Sequence, residues 1–71
     1  MATTVNAHMP GLVARVLVNE GDQVTQGQTV VVINCMKNEL QVVSANDGKV
    51  QNVLVKEWDE VEIGSPLIVL E

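Results

Sequence analysis

Apolar residues in this chain fall in short, β-branched runs, and polar turn residues separate them at close intervals. Thr3 to Ala7 alternates weakly and predicts a first edge strand, which His8-Met9-Pro10-Gly11 breaks with a Pro-Gly turn signal. Leu12 to Val18 predicts a second strand. Asn19-Glu20-Gly21-Asp22 turns the chain, Gln23-Val24 reads as a very short strand, and Gln26-Gly27-Gln28 turns it again. Thr29 to Asn34 predicts a rising strand and Gln41 to Ser44 a descending one. After a turn at Asn46-Asp47-Gly48, Lys49 to Val55 predicts another strand. Glu57 to Glu60 and Gly64-Ser65-Pro66 read as turns, and Leu67 to Leu70 as the last strand. No segment sustains a 3.6-residue period, so the predicted class is all-β.

Residues 30–43 break the pattern. Val30-Val31-Val32-Ile33 leads in and Leu40-Gln41-Val42-Val43 leads out, which predicts a hairpin closed by Cys35-Met36-Lys37-Asn38. Two-residue hairpin loops favour Asn-Gly, Asp-Gly or Gly-X, because their central residues need φ > 0. Met-Lys meets none of these preferences. A local rule broken in an otherwise consistent chain marks a place where function is expected. The bland reading of Lys37 is a solvated turn lysine. Against it, the chain has only four basic residues, Arg15, Lys37, Lys49 and Lys56, and one of them caps this hairpin.

The chain also repeats itself. Shifting 11–33 onto 48–70 aligns Gly11 with Gly48, Val13 with Val50, and Val16-Leu17-Val18 with Val53-Leu54-Val55. It also aligns Glu20 with Glu57, Asp22 with Asp59, Val24 with Val61, Gly27 with Gly64 and Val32 with Val69. These matches are ten of 23 aligned pairs, without a gap. Two copies of one β unit, neither able to bury a face alone, predict packing about a pseudo-twofold axis. The expected product is a flattened barrel-sandwich of two small antiparallel sheets. Lys37 shifted by the same offset falls just beyond either end, so the hairpin tip is expected opposite the termini.

Composition narrows the class. The 71 residues make one domain, 1–71, near the lower size limit for a core without staples. One cysteine allows no intrachain disulfide, and one Cys with one His makes no metal set. A net charge of −5 argues against nucleic acid or an anionic membrane surface as partner. No apolar stretch approaches membrane-spanning length. Met1-Ala2-Thr3-Thr4 has no basic region and no long apolar run, so no secretory signal is expected, and a lone thiol fits a cytoplasmic setting. There is no nucleophile–base–orienter set and no phosphate-cradling loop, so the chain is not expected to be an enzyme by itself.

With these segments read, nearly the whole chain resembles the biotinyl/lipoyl attachment domain family, of the biotin carboxyl carrier type. His8-Met9-Pro10-Gly11 is similar to the family's Ala-Pro-Met-Pro-Gly segment. Glu20-Gly21-Asp22-Gln23-Val24 with Gly27-Gln28 is similar to its first Gly-Asp-x-Val…Gly-Gln turn. Cys35-Met36-Lys37-Asn38-Glu39 stands where the family has its Ala-Met-Lys-Met-Glu hairpin. Ala45-Asn46-Asp47-Gly48 and Asp59-x-Val61…Gly64-x-Pro66-Leu67 resemble the later turns. The family has Glu, Ala or Ser, and Met where this chain has Asn34, Cys35 and Asn38. No insertion follows Glu20-Gly21-Asp22, so the extra thumb of some carriers is not expected.

The resemblance implies a barrel-sandwich fold and a carrier function. Lys37 would be covalently biotinylated by a biotin protein ligase, with Met36 and Asn38 as flanking recognition residues. The group would then be carboxylated at a biotin carboxylase site and carried to a carboxyltransferase site. Two alternatives stay open: a lipoyl carrier, which typically has Asp-Lys-Ala at this hairpin, and an unmodified barrel-sandwich serving as a structural or interaction module. Among other residues, Cys35 reads as a small strand residue, His8 as a surface residue, and Glu39 as a recognition or solubility residue. The acidic group Glu57, Asp59, Glu60 and Glu62 reads as a solvated face. Trp58 takes the place of Gly21, which would strain a turn that needs φ > 0, unless the turn differs.

Overall fold

The computed structural model describes residues 3–71; Met1 and Ala2, which the one-domain expectation and the signal-segment reading include, lie outside the described residues. The strands are β1 (Thr3–Asn6), β2 (Gly11–Val16), β3 (Gln23–Val24), β4 (Thr29–Cys35), β5 (Asn38–Val43), β6 (Gly48–Val53), β7 (Glu60–Val61) and β8 (Pro66–Leu70). They form two four-stranded antiparallel sheets, ordered β1-β8-β6-β3 and β5-β4-β2-β7. The all-β class and the pair of small sheets therefore match the sequence reading. The body measures 33 × 19 × 18 Å.

Each sheet repeats the other at one offset, the distance from Gly11 to Gly48. Gly11 pairs with Val61 and Leu12 with Glu60, as Gly48 pairs with Val24 and Lys49 with Gln23. The bulge that skips Ala14 between β2 and β4 recurs at Gln51 between β6 and β8. Thr3 opposite Leu70 in one sheet repeats Leu40 opposite Ile33 in the other. Loop bonds follow the same rule. The Gly27 N–H donates to the Ser44 carbonyl at 2.7 Å, and the Gly64 N–H to the Ala7 carbonyl at 2.9 Å. The Asp22 carboxylate accepts the Asn19 N–H at 2.8 Å, and the Asp59 carboxylate accepts the Lys56 N–H at 2.9 Å.

The core lies between the sheets and is almost wholly aliphatic. Val13, Val24, Val30, Val31, Ile33, Val50, Leu67, Ile68 and Leu70 are essentially inaccessible. Their short branched side chains let two narrow sheets approach closely, and each contributes on the order of 1.5–3 kcal/mol by leaving water. Ser44 is the one buried polar residue among those described, and its hydroxyl donates to the Asn46 carbonyl at 2.6 Å. It is satisfied, so its burial needs no other account.

Two details correct the sequence reading. Glu57 to Glu60 was expected to be all turn, yet Glu60 begins β7 on the outer edge of β2. A two-residue strand is too short for an alternation signal, although its counterpart Gln23-Val24 foretold it. The strands expected to reach Val18 and Val55 end at Val16 and Val53. Beyond those points Leu17 and Leu54 each keep one bond, to the Val30 and Leu67 carbonyls at 2.9 Å, before the chain crosses to the opposite sheet.

Trp58 keeps the turn of its counterpart. Gly21 has φ 93° and Trp58 has φ 73°, with N–H bonds to Val50 and Val13 carbonyls at 2.8 and 2.7 Å. The turn does not differ; the tryptophan bears the strain. Left-handed backbone costs a non-glycine residue about 1–2 kcal/mol, and glycine recovers most of that against its larger unfolded-state entropy. Trp58→Gly is therefore expected to stabilise the domain by about 1 kcal/mol, seen as a melting temperature higher by roughly 5 °C. An unchanged or lower melting temperature would mean that the indole contributes packing despite its exposure.

Candidate functional site

The hairpin tip is built by a regular ladder that ends abruptly. Ile33 faces Leu40, Asn34 faces Glu39 and Cys35 faces Asn38, which leaves Met36 and Lys37 as the whole loop. Both have positive φ, 51° and 72°. A two-residue turn between right-twisted strands demands that conformation, whatever residues occupy it. Neither is Gly or Asn, so the tip holds about 2–4 kcal/mol of backbone strain, offset by the ladder beneath it. A loop this short has few alternative conformations. It presents Lys37 rigidly.

Met36, Lys37 and Asn38 are all exposed, Met36 to 89%. The internal symmetry makes the tip the counterpart of the end where Thr3 pairs with Leu70. Asn34 is exposed and faces Leu12 on β2. Cys35 is half-buried, and its thiol is free. Glu39 is exposed and lines a groove with Arg15, Leu17, Val32 and Gln41. His8 is exposed, beside β1.

A cleft beside the tip brings together residues that the sequence reading kept apart. Pro10, Gly11 and Leu12 form one wall, Asn34, Cys35 and Met36 another, and Glu60, Val61 and Glu62 the third. Gly11 is what lets the walls close. A Cβ on it would lie 2.5 Å from the Asn34 carbonyl oxygen and 2.9 Å from Ile33 Cγ2. The strand carrying the Met-Pro-Gly segment thus runs directly against the stem of the hairpin. Glu60 and Glu62 join this cleft, whereas Asp59 is half-buried and spends its carboxylate on a turn. Of the four acids read as a solvated face, Glu57, Glu60 and Glu62 are exposed. The repeat register carried the signal, since aligning β7 with β3 puts Glu60 next to Leu12.

A small twofold barrel that holds out one lysine on a rigid two-residue turn has the architecture of an attachment domain. Comparison with known proteins agrees. The family described as biotin-requiring enzyme, the biotin/lipoyl family, matches residues 3–70. The chain is 36% identical over 69 residues to the biotin carboxyl carrier protein of Streptococcus mutans, covering 97% of this chain and 53% of that protein. It is 39% identical over 67 residues to the biotin/lipoyl attachment protein of Bacillus subtilis, covering 94% of this chain and 92% of that protein. Its fold matches part of the Kluyveromyces lactis urea carboxylase with a TM-score of 0.93 and 31% identity, covering all of this chain and 6% of that one. The chain belongs to the biotin/lipoyl attachment family. It spans about half the length of the Streptococcus carrier protein and 5–10% of the multidomain carboxylases it also matches.

Proposed function

We propose that this chain is a biotin carrier domain with Lys37 as the acceptor. The observation that carries the reading is the exposed Met36-Lys37 turn at the hairpin tip, with both residues in left-handed backbone. The tip fits a covalently attached group because the lysine is unburied and its Cα is held by the ladder on both sides. In the attachment step the ε-amine, as free base, attacks the acyl carbon of adenylated biotin supplied by a biotin protein ligase. A C–N bond forms, the acyl–phosphate bond breaks with AMP as leaving group, and the amine proton passes to solvent. Met36 and Asn38 flank the nucleophile and are the side chains a ligase meets first.

Once attached, biotin supplies the ureido nitrogen that accepts and hands on a carboxyl group. This chain supplies the tether and the aim, which hold that group at high effective concentration near a biotin carboxylase and a carboxyltransferase. Met36 favours biotin over lipoate at this hairpin. A cytoplasmic setting remains the reading that the single free thiol supports.

The test is the intact mass of the chain after co-expression with a biotin ligase and free biotin. A gain of one biotinyl group is expected. A lipoyl gain would make the chain a lipoyl carrier. No gain, with the ligase active on a known acceptor, would leave the barrel an unmodified interaction module.

A further inference from the structure

The internal repeat serves as a control: whatever the barrel needs structurally should appear in both halves. Leu17 and Leu54 are about half exposed and are counterparts, so they belong to the fold. Five exposed apolar residues have no apolar counterpart: Met9 answers to Asn46 and Val43 to Asn6, and three more lie together. Leu12 answers to Lys49, Trp58 to Gly21 and Ile63 to Gln26. These last three, unlike Met9 and Val43, sit around β7: Leu12 on its partner strand, Trp58 in the turn before it and Ile63 in the turn after it. Trp58 is 68% exposed and Ile63 72%. The same stretch is also more acidic than its copy, with Glu60 and Glu62 in place of Gln23 and Thr25. Trp58 further keeps a strained backbone that glycine satisfies in the other half. An exposed aromatic held against strain, with acids around it, is costly for the free domain and useful only against a partner.

We propose that β7 and its two turns are the docking surface for the biotin carboxylase, with Trp58 as the anchor. This rests on the carrier reading above. The occupant follows from charge. An enzyme that carboxylates biotin binds bicarbonate and a nucleoside triphosphate, both anions, and so carries positive potential at its mouth. Glu60 and Glu62 complement that potential beside the tip that must enter. A ligase meets each chain once, whereas the carboxylase meets it in every cycle. Electrostatic steering raises encounter rate more than affinity, so it serves the repeated encounter. Trp58 would fill an apolar slot at the rim of that mouth.

The experiment uses the biotinylated chain with a purified biotin carboxylase shown to accept it, ATP and bicarbonate. Trp58→Gly is the informative variant because the fold already accommodates glycine in this turn. It should take up biotin at the wild-type rate, raise KM for the holo-chain about tenfold and leave kcat within twofold. The dissociation constant of the holo-chain for the carboxylase, measured by titration, should rise by the same factor. Glu60→Gln with Glu62→Gln should flatten the dependence of kcat/KM on salt. KM and dissociation constant both within twofold of wild type in Trp58→Gly would overturn the proposal. So would a defect confined to the ligation rate, which would assign the surface to the ligase. Absence of mass gain at Lys37 sinks the carrier reading instead, and is read before any carboxylase is added.

Discussion

Lys37→Arg is expected to abolish biotin attachment while leaving the barrel intact. Arginine keeps the positive charge and a long flexible stem, but its guanidinium stays protonated and offers no free-base nitrogen to an acyl adenylate. The position is exposed at the turn, so the folded state loses nothing of note and the melting temperature should move by no more than about 2 °C. Intact mass after co-expression with ligase should therefore show only the unmodified chain, against one biotinyl group on the wild type. A full mass gain in this variant would move the acceptor to Lys49, Lys56 or the α-amine. It would also remove any functional reason for the strained turn.

The second large effect is expected at Gly11, and it is one of stability. The Cβ of Gly11→Ala would lie 2.5 Å from the Asn34 carbonyl oxygen, and that oxygen belongs to the backbone of a strand paired on both sides. The neighbour cannot rotate away, so β2 and β4 must part. Overpacking against fixed backbone costs about 3 kcal/mol or more, a large share of what a domain this small has to lose. Gly48→Ala is the natural control. There the nearest atom, the Glu71 carbonyl oxygen, is 3.2 Å away, and the Gly48 backbone is one that any residue adopts. Urea denaturation should show a midpoint shift several times larger for Gly11→Ala than for Gly48→Ala. Equal shifts would mean that the hairpin stem gives way as easily as the looser contact at Gly48. What survives folded in Gly11→Ala should also be a poorer ligase substrate, because the displaced strand carries the tip.

The architecture was legible because it rests on patterns that sequence displays directly. Short Val-rich runs between turn residues specified strands, and the match of 11–33 with 48–70 specified how many units there are and that they pack together. The Met-Lys turn stood out as a conflict with hairpin chemistry, and the positive φ at both residues shows that the conflict is real. What stayed hidden depended on pairing. Two residues such as Glu60-Val61 carry no periodicity, so β7 emerges only when β2 is there to hold it. The role of Gly11 was hidden for a related reason. Its neighbours Ile33 and Asn34 are distant in sequence, and nothing about a Pro-Gly turn says which strand will press against it. The cleft beside the tip joins three segments and so could not be read from any one of them.

Because Thr3 pairs with Leu70, the chain can be rebuilt as a closed ring. Those two residues stand to one another as Leu40 stands to Ile33, so the six residues from Asn34 to Glu39 are the length of linker that would join them. Closed in that way the backbone would be a ring of two like halves with no free end. Each half would then carry a two-residue turn, and a second Met-Lys could be written into the new one. Such a ring would be a double-headed acceptor, loaded on both halves. It could be reopened at either turn without disturbing a single core valine.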